Sequence, residues 1–154
     1  MTPGRYWDSA TFIGWLKKEP DKFPQCDAVV KACDRGQYRI VTSTLTFAEV
    51  HKLKRGPSVS REEQEAVQQF FQRSFIVPYE LDRSVADLAR ELIWTHNISS
   101  WDAVHVATAI RARGRRLIEC FDTFDRPLWD LTGKIPGTDL VLSQPNLPPE
   151  LPFE

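Results

Sequence analysis

Five acidic residues stand in company unusual for a charge. Asp8 follows the short stretch Arg5–Trp7, and Glu49 is flanked by Phe47, Ala48 and Val50. Asp102 lies near the start of NISSWDAVHVATAIRARG, residues 97–114, where Val104, Val106, Ala107, Ala109 and Ile110 leave little of a helix to face water before Arg111. Asp122 and Asp125 come directly after the apolar run Leu117–Phe121. A helix that is apolar nearly all round is buried in a core. An isolated buried carboxylate is expensive to desolvate, so it needs hydrogen bonds, a cation or a proton. For Asp102 a local answer exists, because Ser99-x-x-Asp102 fits a capping box in which Asp102 reaches back to the Ser99 amide. A set of carboxylates without histidine or cysteine suits a hard cation, Mg²⁺ or Mn²⁺. Two such ions about 4 Å apart can activate water and stabilise the leaving oxygen of an in-line displacement.

Whether the acids meet depends on the elements that carry them. Arg5–Trp7 reads as a strand ending at Asp8, and Thr11–Lys18 as a helix with Phe12, Ile13, Trp15 and Leu16 on its apolar side. Pro20 and Pro24 interrupt. Cys26–Arg35 then makes a second helix, stopped by Gly36. Tyr38–Thr42 is strand-like; Ser43 and Thr44 can cap a helix through Leu53, ended by Gly56-Pro57. Ser60-x-x-Glu63 is a capping box opening a helix that carries Val67, Phe70 and Phe71. Phe75–Pro78 is a short strand, and Asp82 begins a helix ending around His96-Asn97. After the 97–114 helix come the strands Leu117–Phe121 and Leu140–Leu142.

Short apolar strands alternating with helices predict a parallel sheet covered on both faces. Ligands bind such sheets at the carboxyl ends of the strands, near the point where the winding reverses. Asp8, Asp122 and Asp125 sit at such ends. A helix entering after a strand points its partly positive N-terminus, here with Asp102, at the same edge. Four or five acids converging there, with no lysine or arginine interleaved, need a cation.

At 154 residues the chain is expected to be one domain over residues 1–142, followed by a Pro-rich extended tail over 143–154. Hydrophobic content of 42% and charged content of 27% fit a globular protein. No apolar run is long enough to cross a bilayer and no signal peptide opens the chain, so a cytoplasmic, non-membrane protein is expected. Cys26, Cys33 and Cys120 are too few and too scattered for a disulfide framework or a zinc knuckle. The net charge of −1 announces no nucleic-acid partner, although local patches of opposite sign cancel in the sum.

The segments YWDSATFIGWL, TSTLTFAEV, SSWDAVHVATAI and FDTFDRPL, in this order and spacing, resemble the PIN-domain family, and within it the stand-alone ribonuclease toxins of VapBC-type toxin–antitoxin pairs. The likeness spans about residues 5 to 142. It implies a three-layer α/β/α domain whose central parallel sheet has the order 3-2-1-4-5. Residue by residue, it makes Asp8 the first acid, Glu49 the helical glutamate, Asp102 the third acid and Asp125 the fourth, within a Thr-x-Asp element at Thr123-Phe124-Asp125. Ser9 matches the hydroxyl residue after the first aspartate. Ala10 and Pro127 depart from polar residues often found there, and Asp122 is an additional acid able to share or take the metal role of Asp125. The implied activity is hydrolysis of RNA to a 5′-phosphate and a 3′-hydroxyl, with one or two Mg²⁺ or Mn²⁺ ions. Asp8, Asp102 and Asp125 would hold metal, and Glu49 would bind a second ion or orient the water. A cognate antitoxin and a homodimer are the implied partners.

The other features weigh less. Arg111, Arg113, Arg115 and Arg116, or His51, Lys52, Lys54 and Arg55, can hold an RNA backbone; the first run reads equally as a helix end complementing the dipole. His105, three residues after Asp102, reads as a packed, hydrogen-bonded histidine rather than a ligand. Trp129 is the candidate for stacking on a base. Phe12, Trp15, Leu16 and Phe47 exceed what one sheet face can cover, which favours a dimer over a completed monomer core. Two other functions remain: a metal-dependent phosphohydrolase with an aspartyl nucleophile, which wants Asp-x-Asp where WDSAT supplies one aspartate, and a binding-only PIN-like domain, which would have lost acids.

Overall fold

Strand β1 (Gly4–Trp7) is followed by α1 (Ser9–Leu16) and α2 (Phe23–Asp34). Then come β2 (Arg39–Ser43), α3 (Thr44–Glu49), α4 (Arg61–Phe71), β3 (Ile76–Tyr79), α5 (Arg83–His96), α6 (Ser100–Gly114), β4 (Cys120–Asp122), α7 (Arg126–Trp129) and β5 (Leu142–Ser143). The structure is a computed structural model that describes residues 2–53 and 58–147. Lys54, Arg55 and the Gly56-Pro57 stop, and Pro148, Pro149 and Pro152 of the tail, lie outside the described residues. The strands form one sheet ordered β3-β2-β1-β4-β5, with every pairing parallel. This is the expected 3-2-1-4-5 order in a three-layer α/β/α domain. The winding reverses at β1, so the crevice of an open parallel sheet falls at its carboxyl end.

Alternation along the strands sorts the core into two. Tyr6, Val41 and Phe121 pack towards α5 and α6, with Val85, Leu92, Val106 and Ala107. Trp7 and Ile40 pack on the other side with Phe12 of α1, Val29 and Val30 of α2 and Phe70 of α4. Helix α6 buries Ala103, Val106, Ala107, Ala109 and Ala112, and its small residues allow close approach to the sheet. Its buried Thr108 hydroxyl donates to the Val104 carbonyl at 2.6 Å. Gly4 marks a second close approach, because a Cβ there would strike the Leu117 carbonyl.

Most helix starts follow the sequence. Asp8, Ser43, Ser60, Asp82 and Ser99 each accept a backbone N–H from the first turn of their helix. The two capping boxes are only half formed. Glu63 accepts from the Leu53 amide at 3.3 Å instead of reaching back to Ser60, and the Asp102 carboxylate makes no hydrogen bond among the described residues.

Several boundaries moved for physical reasons. Pro24 does not interrupt but sits in the first turn of α2, where its missing N–H costs nothing. Helix α3 stops at Glu49 rather than Leu53, because Val50 leaves the helix to enter the core. Strand β4 starts at Cys120 rather than Leu117. Arg116 is left-handed (φ 60°) and the Leu117 amide donates to Ala112, so Leu117 still belongs to the cap of α6. Strand β5 reaches Ser143, whose carbonyl accepts from Thr123. The start of the tail docks: the Asn146 carbonyl accepts from Arg5 at 3.4 Å and Leu147 packs on the core.

Candidate functional site

Asp8 caps α1 at the carboxyl end of β1 and is 6% exposed. Its Oδ1 accepts from the Thr11 amide (3.0 Å) and hydroxyl (2.7 Å), and its Oδ2 accepts from the Thr123 hydroxyl (2.7 Å). These are neutral donors; among the described residues no Lys, Arg or His bonds to it. Thr123 lies just past β4, and its hydroxyl also accepts from the Asp125 amide at 3.2 Å. One threonine therefore ties the first acid to the loop carrying the last, which explains the Thr-x-Asp spacing. The Trp129 indole N–H donates to the Thr123 carbonyl at 2.8 Å and holds that loop against α7. The partly buried Trp129 is thus a loop brace, and its ring is covered by Arg126 at 5.9 Å.

Asp125 is the N-cap residue of α7 without a side-chain cap bond. Its carboxyl is held above the ordinary range, first by burial and then by the negative charges of Asp102 and Asp8. Asp125 therefore lies within reach of the negative charges of Asp102 and Asp8. Among the described residues neither Asp102 nor Asp125 has a hydrogen bond or cation on its carboxylate.

Glu49, at the last position of α3, joins the edge through other side chains. Its Oε1 accepts from the Ser9 hydroxyl at 2.6 Å and from His105 Nε2 at 2.7 Å. Burial pushes its carboxyl up, and the bonds from His105 and Ser9 outweigh this and hold it below the usual range. His105 Nδ1, in turn, is hydrogen-bonded to the Tyr6 hydroxyl at 2.7 Å. His105 is packed and hydrogen-bonded as the sequence predicts, and its partners are Tyr6 and Glu49. The available signal was a lone ring with two polar nitrogens on the buried face of α6, opposite a buried tyrosine two residues before Asp8.

Asp122 does not join the others. It is fully buried beside Trp7 and accepts from Arg5 Nε (2.8 Å), Arg5 Nη2 (2.8 Å) and Trp7 Nε1 (2.9 Å), so both oxygens are committed. A carboxylate already matched to a guanidinium fork has no need of a metal. Register explains the split: Asp122 pairs with Trp7 and shares its sheet face, whereas Thr123 is the next residue and meets Asp8.

The donors fit a hard divalent ion in kind, being carboxylate oxygens with an excess of negative charge and, among the described residues, no Lys or Arg paired with Asp8, Asp102 or Asp125. Among the described residues, no three His, Cys, Asp or Glu side chains stand ready to ligate one ion. The three cysteines offer no nucleophile, since burial pushes each thiol up, Cys33 and Cys120 to about 12.

Two members of the first basic run have structural partners. Arg113 pairs with Asp139 at 2.9 and 3.0 Å, and Arg115 lies over the Tyr79 ring. Phe12 is fully buried; Trp15 stacks on Phe70, and Phe47 meets Phe71 edge-on. Trp15, Leu16 and Phe47 are partly buried and pack against this chain's own core, and among the described residues Trp94 and Trp101 are the large apolar side chains left most exposed.

The PIN domain profile matches residues 6–128. Two solved structures share the fold. One is VapC20 of Mycobacterium tuberculosis, described as a Sarcin-Ricin loop cleaving toxin, at 14% identity and a TM-score of 0.62 over 89% of this chain and 98% of that one. The other is VapBC2 of Rickettsia felis bound to a DNA fragment from the promoter, at 14% identity and a TM-score of 0.61 over 92% and 98%. No curated protein matches the sequence.

Proposed function

Because this chain belongs to the PIN domain family, we propose that it is a metal-dependent ribonuclease and the toxin of a toxin–antitoxin pair. The observation that carries the reading is the uncompensated group Asp8, Asp102 and Asp125 at the carboxyl edge of the sheet. These residues, with Glu49, would hold Mg²⁺ or Mn²⁺; Asp122 is left out because Arg5 and Trp7 occupy it. A bound ion supplies an activated water and charge stabilisation at the scissile phosphodiester. The protein's own part is placement. Thr11 and Thr123 fix both oxygens of Asp8, and Ser9 and His105 fix one oxygen of Glu49. Asp102 and Asp125 can rotate onto a ligand without breaking a hydrogen bond.

The decisive measurement is cleavage of RNA in Mn²⁺ or Mg²⁺ with and without EDTA, with Asp102→Asn as control. Cleavage that stops in EDTA and in the variant is expected; cleavage indifferent to EDTA would falsify the metal-dependent reading. The retained acids set this apart from a binding-only domain, and the single aspartate in Trp7-Asp8-Ser9-Ala10-Thr11 from an aspartyl-nucleophile phosphohydrolase.

We place the activity in the cytoplasm, and no helix among the described residues is long and apolar enough to cross a membrane. The VapBC2 likeness supports an antitoxin partner, which would lay a cation among the acids. A homodimer follows from the family resemblance, with exposed apolar surface at Trp94 and Trp101 to bury. Light scattering at micromolar concentration should give a dimer mass, and a monomer there overturns this part alone.

A further inference from the structure

Glu49 ends a six-residue helix, and its side chain is 25% exposed, a poor platform for a residue that must point one way. Three buried side chains remedy this. Both Ser9 and His105 donate to the same oxygen, Oε1, at 2.6 and 2.7 Å, while Oε2 has no hydrogen bond among the described residues. A carboxylate only accepts, so His105 Nε2 carries a proton, and in the neutral ring Nδ1 then accepts from the Tyr6 hydroxyl.

Tyr6 is fully buried, and its oxygen also accepts the Ser43 amide at 3.2 Å. Ser43 is the N-cap of α3. The Tyr6–His105 pair thus grips α3 at its first turn and again at its last residue. The ring stands 3% exposed and edge-on to Tyr6, with centroids 5.9 Å apart. His105 also lies one turn along α6 from Asp102, so one helix bears one acid and orients another. Both ring nitrogens of His105 are committed along one line, from the Tyr6 hydroxyl on the strand to the Glu49 carboxylate.

We propose that His105, braced by Tyr6, is a positioning residue for the nuclease site, holding Glu49 by Oε1 and leaving Oε2 free to serve the site. This rests on the ribonuclease reading above. The family resemblance supplies the acids; the Tyr6–His105–Glu49 connection comes from the contacts alone. Outer partners that orient metal-binding side chains are worth about 10- to 100-fold in activity or metal affinity.

The test uses the full chain, with His105→Leu, His105→Gln and Tyr6→Phe compared at matched folded fraction. Steady-state RNA cleavage in Mn²⁺, calorimetry of Mn²⁺ binding without RNA, and ¹⁵N NMR of the His105 ring are the readouts. His105→Leu should lower kcat or Mn²⁺ affinity about 10- to 100-fold with KM for RNA changed by less than about twofold. His105→Gln, whose amide can donate to Glu49 and accept from Tyr6, should recover most of the loss. Tyr6→Phe keeps the Nε2 donor and should cost less than His105→Leu, which covers the case in which the leucine variant does not fold. In wild type at about pH 8, NMR should find the proton on Nε2 and Nδ1 accepting a hydrogen bond. Equal losses in the leucine and glutamine variants, or a proton on Nδ1 rather than Nε2, overturn the proposal. Wild-type protein inert on RNA overturns the nuclease reading instead, and the ring NMR and Mn²⁺ calorimetry then judge the positioning role.

Discussion

Strands β1 and β4 carry two acidic regions within a few residues of each other, and the two are built in opposite ways. On one sheet face, Asp122 is buried completely, and Arg5 and Trp7 saturate its oxygens. Burial opposes the charge on Arg5, and the Asp122 carboxylate more than offsets it, so the guanidinium is held above its ordinary range. At the carboxyl edge, Asp8, Asp102 and Asp125 crowd together with neutral donors or none, and Asp125 is pushed towards protonation by burial and by the other two. The first region has settled its charge internally; the second is left wanting a cation from outside. The distinction between structural and functional acids therefore lies in the partners, since burial alone would rank Asp122 first.

The largest effect should come from unsettling the first region. Arg5→Met leaves Asp122 buried without its cation, and breaking a buried pair in this way costs about 3–5 kcal/mol. The Arg5 and Asp122 side chains are 6% and 0% exposed, so solvent offers little rescue. Urea unfolding should show that loss, while RNA cleavage per folded molecule stays near wild type. The double variant Arg5→Met/Asp122→Leu should regain most of the stability. If Arg5→Met instead abolishes cleavage in protein that remains folded, the two regions are not separate.

The second region should respond in the opposite sense. Asp102→Asn and Asp125→Asn should each reduce cleavage by about 100-fold or more, since metal-borne charge stabilisation is worth several kcal/mol. In metal-free protein each should raise stability by a few tenths to about 1 kcal/mol, because a like charge is removed from the crowd. Asp122→Asn should do the reverse, losing stability and little activity per folded molecule. An Asp122 variant that loses more cleavage than Asp125→Asn, once folded fraction is corrected, would return Asp122 to the metal set.

The sequence made the fold legible because its evidence there was redundant: caps at Ser43, Ser60, Asp82 and Ser99, short apolar strands, and motifs in a fixed order. Boundaries slipped where a tertiary contact decided them, as when Val50 left α3 for the core. For the site, residue type revealed the acids but could not apportion them. Asp122 and Asp125 look alike three positions apart, and only pairing register shows that Asp122 shares a face with Arg5 and Trp7. The same limit hid the link between Glu49 and His105, which are 56 positions apart and join only when α3 and α6 meet beside β1. Apolar excess could not say which partners it would find, and Trp15 and Phe47 meet Phe70 and Phe71 on α4 of the same chain.

The smallest effect, and the sharpest in sign, is in the pH dependence of stability. Asp125 has a folded-state pKa raised above its unfolded value, so across that window the folded state holds more protons than the unfolded one. Stability must then fall as pH rises from the ordinary Asp range through the raised value. Glu49 is shifted the other way, because the His105 and Ser9 bonds outweigh burial. Its contribution is present above the ordinary Glu range and is lost as pH falls through its depressed folded value. Asp125→Asn should therefore remove a loss of stability on the alkaline side of the carboxylate range, and Glu49→Gln a loss on the acid side. Both groups are partly exposed, so screening should keep each contribution small. Denaturant midpoints of metal-free protein across the acid range read both. Excess Mn²⁺ should reverse the Asp125 trend, because metal binds the deprotonated carboxylate and favours the folded state more as pH rises. If Asp125→Asn leaves the pH profile of the metal-free protein unchanged, the acids are not crowded, and the contrast between the two regions loses its electrostatic basis.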